Sequence, residues 1–227
     1  MRLPVTLGEL VLHYPRVYHM ANAGAWESMR QRGLLSTTAL LDLIGIDGNE
    51  RYRIESCHRP ESVEITRSEL GAVMIRDQAP MRESALTRCL VGVCPRQWYE
   101  FLNRKTLFWA TEARVQTLLR AKLYRDKEHT VITVDTASLL AQHGDRVTLS
   151  PINSGSTLYN PPPRGPHTFR TVADYPFDER RRVRGLANAI AELAVDYAVP
   201  DLITHTVVVE RRRADQILET LYSRVGS

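Results

Sequence analysis

The sequence has 227 residues, of which 43% are hydrophobic, and a formal net charge of +4. A chain of this length buries roughly 70% of its unfolded surface and needs no disulfide or structural metal to form a core. Its three cysteines include no CxxC pair, which excludes a disulfide framework and a thiolate zinc site.

No window approaches the ~18 apolar residues of a membrane span, and the N-terminus lacks the apolar core of a signal peptide. We therefore expect a cytoplasmic protein with no membrane segment. No shift in composition marks a linker, so residues 1–227 are expected to form one domain. The excess of arginine either reflects an ordinary surface or indicates a polyanionic partner such as nucleic acid or a dinucleotide.

The first half of the chain predicts short strands that alternate with helices. A strand over Val17–Met20 leads into a helix that ends at Gly33, and a second helix over Leu35–Leu43 begins at a Ser-Thr-Thr capping cluster. Further elements are predicted as strands within 63–75, helices within 84–103 that are interrupted at Cys94-Pro95, and an aromatic strand at Leu107–Trp109.

The second half predicts an α+β pattern that ends in a helix. The expected elements are a helix after Thr111, a β-branched strand at Thr130–Asp135, a helix at Thr136–Gln142, a basic helix at 176–188, strands at Ala191–Tyr197 and Thr204–Glu210, and a final amphipathic helix over 214–225. Between them, residues 150–166 contain five prolines and form a long loop, which is typical of a binding loop or lid.

Glu192 is the strongest candidate for chemistry. The sequence AELAVDYAVP places this acid in a strand whose other residues are largely apolar. A carboxylate beside a core must be paired, be protonated or take part in chemistry. Period-two alternation equally permits a glutamate that faces solvent from an edge strand, so both interpretations remain open.

The other polar candidates are less specific. His19 lies in the first predicted strand, where a histidine is more often structural than catalytic. The seven histidines show no HxH or HExxH spacing, so no metal is expected. Because GxGxxG, GxxxxGK[ST] and GxSxG are absent, a Rossmann site, a P-loop and a nucleophile elbow are excluded. The Arg180–Arg184 run is interpreted as a solvated helix face or as a phosphate-binding surface.

Three stretches together resemble the ADP-ribosyltransferase superfamily, and within it the DarT-like branch that modifies nucleic acid. They are YHMANAGAWESMRQRGLLS at the start, TLFWATEARVQTLL with TVITVDTASLL in the middle, and AELAVDYAVPDLITHTVVVE near the end. The resemblance implies an α+β domain with split central mixed or antiparallel β-sheets flanked by helices. It also implies NAD as the substrate and DNA or RNA as the acceptor, with any antitoxin or other protein partner left open.

The same resemblance assigns roles to residues. Glu192 matches the catalytic glutamate, which would stabilise an oxocarbenium-like transition state at the ribose. His19 matches the histidine that holds a ribose. Arg76 is the first choice for the family's catalytic arginine, ahead of Arg67, and an arginine would also neutralise the diphosphate. Trp26 and Tyr159, besides Phe108 and Trp109, are candidates for stacking on nicotinamide or a target base, although a buried core role fits Phe108 and Trp109 better.

Two positions depart from the family pattern. DarT-like enzymes usually carry a threonine two residues beyond the histidine and an asparagine four further on, where this sequence has Ala21 and Ala25. A non-catalytic NAD-binding or nucleic-acid-binding relative therefore stays open as an alternative. A nucleic-acid glycosylase that works without NAD is a third, because it also needs an acid at an oxocarbenium centre.

Overall fold

The structure is a computed structural model that describes residues 6–67 and 71–224, except for the side chain of Arg67. The helices are α1 Leu7–His13, α2 Trp26–Arg32, α3 Thr37–Leu43, α4 Gly48–Glu55, α5 Glu83–Cys89, α6 Pro95–Asn103, α7 Glu112–Leu119, α8 Thr136–His143, α9 Phe177–Arg184, α10 Leu186–Ala189 and α11 Leu202–His205. The strands are β1 Arg16–Asn22, β2 Leu34–Leu35, β3 Val63–Arg67, β4 Gly71–Ile75, β5 Lys105–Trp109, β6 His129–Asp135, β7 Val147–Ser150, β8 Arg170–Thr171, β9 Glu192–Asp196, β10 Ala198–Val199, β11 Thr206–Arg213 and β12 Gln216–Ser223.

A large antiparallel sheet organises this α+β domain. Its eight strands run in the order β12-β11-β6-β1-β5-β9-β7-β8, and two further pairs, β10 with β2 and β3 with β4, lie beside it. β9 is an interior strand, because it pairs with β5 on one side and with β7 on the other. The interpretation of Glu192 as a residue of an edge strand is therefore wrong.

The sheet is nearly divided between β1 and β5. β1 pairs with β6 through seven residues, but its register with β5 consists of one pair, Tyr18 with Trp109. β5 in turn pairs with β9 through five residues, from Lys105–Asp196 to Trp109–Glu192. The remainder of β1 and of β5 diverge from this point, which leaves an opening in the middle of the sheet.

Helices cover both faces of the sheet, and strand alternation assigns residues to each face. Ile132 and Val134 of β6 pack in the main core with Leu139 of α8, whereas Val131 between them packs with Val115 of α7. On β9, Leu193 belongs to the main core and Ala194 packs instead with residues of α5 and α6. The α+β class is confirmed, and the sheet itself is antiparallel.

Most predicted elements match the observed ones, with two corrections. The predicted final helix is wrong, because residues 216–223 form β12, an edge strand paired with β11. Ile217, Thr220 and Tyr222 favour a strand, and pairing satisfies the backbone groups of β11. The predicted basic helix is interrupted at Gly185, whose φ of 75° does not continue a helix, and α9 and α10 form in its place.

Candidate functional site

A cavity of about 580 Å³ occupies the opening between β1 and β5. Its size is that of a site for a small molecule or cofactor. The end of β1, the β5 strand, the segment from Gly33 to Thr37 and the end of β4 form most of its wall, and the loop after β7 reaches it through Asn153 and Gly155. Two of the predicted site residues on different strands, His19 and Glu192, line this cavity.

Glu192 is a buried carboxyl group at the cavity wall. Only 3% of the residue is exposed. The backbone N–H of Ser154 donates to both of its carboxylate oxygens, at 3.1 Å to Oε1 and 3.2 Å to Oε2. Trp109 and Ser150 are its partners on the two neighbouring strands. The interior position of β9 thus removes Glu192 from bulk water, and the loop after β7 supplies its hydrogen-bond donor.

Burial raises the pKa of Glu192 to about 7, against an ordinary value of 4.5. The Ser154 hydrogen bond and the positive charges of Arg114 and Arg164 act in the opposite direction, and the loss of hydration outweighs them. Near neutral pH the group therefore populates both its protonated and its ionised form. A carboxyl group with this property can act as an acid, as a base or as a stabilising charge.

His19 enters the cavity as a neutral imidazole. Its Nδ1 lies 2.8 Å from the carbonyl oxygen of Leu107, and burial lowers the pKa of His19 to about 4. Because a carbonyl oxygen only accepts, Nδ1 carries the proton and Nε2 is left as an acceptor. The ring also contacts Phe108, with 5.8 Å between the ring centroids. His19 can thus accept a hydrogen bond from a ligand hydroxyl group.

Three arginines line the cavity, and the guanidinium groups of two of them, Arg76 and Arg59, are desolvated. Arg76 follows β4, donates from Nη1 to the carbonyl oxygen of Met20 at 2.9 Å and lies over the Tyr124 ring at 5.2 Å. Arg59 is 7% exposed and donates to the carbonyl oxygens of Arg76 and Ile54. Burial lowers the pKa of both arginines, to about 10 for Arg59. Desolvated guanidinium groups attract anions strongly.

His19 and Glu192 approach the cavity from opposite faces of the sheet. His19 alternates with Tyr18, which pairs with Trp109, and Trp109 pairs with Glu192. Residues paired across neighbouring strands share a face of the sheet, so Tyr18, Trp109 and Glu192 lie on one face. Sequence neighbours in a strand point to opposite faces, so His19 lies on the other face. Both side chains line the same cavity, so a ligand that contacts both extends from one face of the sheet to the other.

The remaining predicted site residues lie elsewhere. Trp26 is 7% exposed in the main core against Tyr222, and it is outside the described wall of the cavity. Tyr159 is 97% exposed on the outer side of the proline-rich loop, also outside that wall. The side chain of Arg67 lies outside the described residues. Phe108 and Trp109 both line the cavity, and Phe108 is also a core residue.

The sequence does not predict which residues surround the carboxyl group of Glu192. Ser154 and Arg164 belong to the proline-rich loop, and Arg114 to α7. The loop was recognised by its composition, but no motif indicated that its backbone would contact Glu192. The string Pro-Arg-Gly at 163–165 was the available signal, because an arginine inside a proline-rich loop is well placed to bind loop carbonyl groups.

A second polar cluster joins α8 to α11. Nε2 of His143 lies 2.7 Å from Oδ1 of Asp201, and Nε2 of His205 lies 3.1 Å from Oδ2. Two histidines and a carboxylate could hold a metal ion. However, Nη2 of Arg146 lies 2.6 Å from Nδ1 of His143, so Nδ1 accepts a hydrogen bond and Nε2 carries the proton. That tautomer donates to Asp201 and cannot ligate through Nε2.

The fold and the cavity define the class of the protein as an α+β domain with a candidate site at a sheet opening, lined by both basic and acidic residues. A family model matches residues 15–206, and the chain belongs to this family, described as a family of unknown function (DUF7002). The matched range contains His19, Arg76 and Glu192. A comparison with curated proteins found no match. In the described part of the chain, no helix combines the length and apolarity that a membrane crossing requires.

Proposed function

We propose that the chain is an ADP-ribosyltransferase that consumes NAD and modifies a nucleic-acid base. The observation that carries the proposal is Glu192: a buried carboxyl group on an interior strand, at the wall of a cavity that His19 also lines. The separation of these two residues across the sheet opening favours an extended ligand, and a dinucleotide is such a ligand. Its diphosphate would be attracted by Arg76.

In this proposal each residue has one task. The ionised Glu192 would hydrogen-bond to a ribose hydroxyl group and stabilise the positive charge that develops as the nicotinamide bond breaks. The neutral His19 would accept a hydrogen bond from the other ribose through Nε2. Since the carboxyl group is buried, its charge acts in a poorly hydrated site and is stronger there than in water.

Release of nicotinamide from NAD tests the proposal. The protein is incubated with NAD alone, with single-stranded DNA, with duplex DNA and with RNA, and nicotinamide is quantified by chromatography. Glu192→Gln is expected to reduce release at least ~100-fold, as the loss of a transition-state charge does elsewhere. Glu219→Gln is the matched control, because it makes the same change on the exposed edge strand β12. Absence of release with every acceptor would overturn the proposal.

The protonation of Glu192 favours one alternative. A carboxyl group with a pKa of about 7 is partly protonated at neutral pH, as the general acid of a glycosylase must be. The pH dependence separates the two functions. Transfer by an ionised Glu192 increases with pH through about pH 7, whereas glycosylase activity through protonated Glu192 decreases over the same range. A glycosylase would also release a base from nucleic acid without NAD.

A non-catalytic relative is distinguished by binding. Ala21 lies in the cavity wall beside His19 and, like Ala25, offers no polar group to a ligand. In this alternative, isothermal titration shows that NAD or nucleic acid binds equally to the wild type and to Glu192→Gln, and no nicotinamide is released from either protein.

A further inference from the structure

The proline-rich loop is fixed to the body of the protein at two places. Thr157 donates from its backbone N–H to the carbonyl oxygen of Pro80 at 3.0 Å, and its hydroxyl group accepts from the N–H of Arg82 at 2.6 Å. Near the other end, the backbone N–H of Arg164 donates to Cys89 at 2.8 Å, and the N–H of Val91 donates to Arg164 at 2.9 Å. The segment between Ser150 and Thr157 contains Ser154, whose backbone N–H contacts Glu192.

Arg164 is buried inside this loop without an ion pair among the described residues. Only 2% of the residue is exposed. Its Nη1 donates to the carbonyl oxygens of Ser154 at 3.0 Å and Ser156 at 2.8 Å, with a longer contact of 3.5 Å to that of Asn153. A buried guanidinium group is unfavourable unless its donors are satisfied, so these carbonyl groups must be held around it.

One peptide residue connects this arginine to the candidate site. Ser154 accepts from Arg164 through its carbonyl oxygen and donates to Glu192 through its N–H. The Ser154 hydroxyl group is also buried beside Glu192 and, like the N–H, favours the ionised carboxylate, whereas the hydrogen bonds to the two carboxylate oxygens come from the N–H. The loop also lies close to the segment after α5 at Gly165, where a Cβ atom would lie 2.2 Å from the carbonyl oxygen of Val91.

We propose that Arg164 is a positioning residue, which holds the loop carbonyl groups so that the Ser154 N–H stays on the Glu192 carboxyl group. The inference rests on the proposed function only for its catalytic consequence. The Arg164 guanidinium group contacts the Ser154 carbonyl oxygen, and the Ser154 N–H contacts the Glu192 carboxyl group. This link does not depend on which reaction the cavity supports. In the ADP-ribosyltransferase reaction, the effect of Arg164 is to keep the Glu192 oxygens oriented toward the cavity.

The Ser154 amide reports on this link directly. An N–H that donates to a carboxyl group changes its NMR shift as that group ionises, so the Ser154 signal is expected to titrate near the pKa of Glu192 and to stop titrating in Glu192→Gln. In Arg164→Met the titration of the Ser154 signal is expected to be lost, and its hydrogen exchange is expected to accelerate at least ~10-fold. Arg170→Met, at an exposed position on β8, is the matched control and retains the wild-type signal.

Arg164→Lys separates charge from geometry. It keeps the positive charge but lacks the planar fork that donates to several carbonyl groups, so a reduced Ser154 titration is expected. Full retention of the titration in Arg164→Met, or in Arg164→Lys if the first variant does not fold, would overturn the proposal. Unprotected exchange of the Arg164 guanidinium protons in the wild type would do the same, because it would show that the hydrogen bonds to the loop do not persist.

Activity is a separate measurement. If nicotinamide is released, Arg164→Met is expected to lower kcat ~10-fold or more with little change in the KM for NAD, because it alters orientation and leaves the ligand contacts in place. If no nicotinamide is released by the wild type, the proposed function fails. The NMR titrations still decide whether Arg164 positions Ser154.

Discussion

The burial of Glu192 predicts a specific dependence of stability on pH. The unfolded chain releases this proton near pH 4.5, whereas the folded chain keeps it until about pH 7. Between these values the folded state binds one more proton than the unfolded state, so the free energy of unfolding decreases as the pH rises and then stays constant. The difference between the two pKa values corresponds to about 3 kcal/mol, since one pKa unit is about 1.4 kcal/mol.

Glu192→Gln removes this dependence while its side-chain oxygen can still accept from the Ser154 N–H. The assay is urea unfolding of wild type and variant at about pH 5 and about pH 8.5. From about pH 5 to about pH 8.5, the free energy of unfolding of the variant is expected to rise by roughly 2–3 kcal/mol relative to that of the wild type. For Glu219→Gln, the exposed control, the same change in the free energy of unfolding relative to the wild type is expected to be less than about 0.5 kcal/mol. A Glu192→Gln difference that is the same at both pH values would refute the desolvation of Glu192 in the folded state.

Four further predictions concern stability. Gly33→Ala, at φ 79° with a Cβ atom placed 2.4 Å from the backbone of Pro200, is expected to cost about 3 kcal/mol or more in urea unfolding. Gly45→Ala, at φ 66° with nothing within 4 Å, is expected to cost about 1 kcal/mol. Zn²⁺ is expected to leave the Tm unchanged, because Nε2 of His143 is protonated where it faces Asp201. A rise in Tm with Zn²⁺ that is abolished in Asp201→Asn would contradict this. Tyr222→Ala, which removes the partner of Trp26, is expected to cost about 1–2 kcal/mol in urea unfolding, and no loss would contradict the packing of β12 on α2.

The sequence predicts an element well when its signal is local. The helix stop at Gly33, the Ser36 cap and the β-branched run of β6 are local signals, and each appears at the expected place. The sequence of β12 predicts a helix, because an edge strand with mostly exposed side chains has no strong period-two pattern. Its assignment depends on the pairing with β11, which is a contact between segments and not a property of either one.

The candidate site shows the same limit. Glu192 was recognisable because an acid in an apolar strand is unusual, and its burial agrees with one of the two interpretations. Trp26 lies outside the described wall of the cavity and Tyr159 is exposed. Both positions depend on the orientation of a helix and of a loop, which composition does not specify. The contact between Ser154 and Glu192 joins residues 38 positions apart through a backbone N–H, a group that every non-proline residue carries. The Pro-Arg-Gly string at 163–165 points to an arginine within the loop, and nothing in it specifies the contact with Glu192.

The single pair between β1 and β5 has a mechanical consequence. A sheet resists shear through its ladder of hydrogen bonds, and between β1 and β5 that ladder is reduced to the Tyr18–Trp109 pair, beside the side-chain hydrogen bond from His19 to Leu107. Each part keeps its own long ladders, seven residues between β1 and β6 and five between β5 and β9. The parts that carry His19 and Glu192 are therefore each held by a long ladder, and the ladder between them is limited to the Tyr18–Trp109 pair.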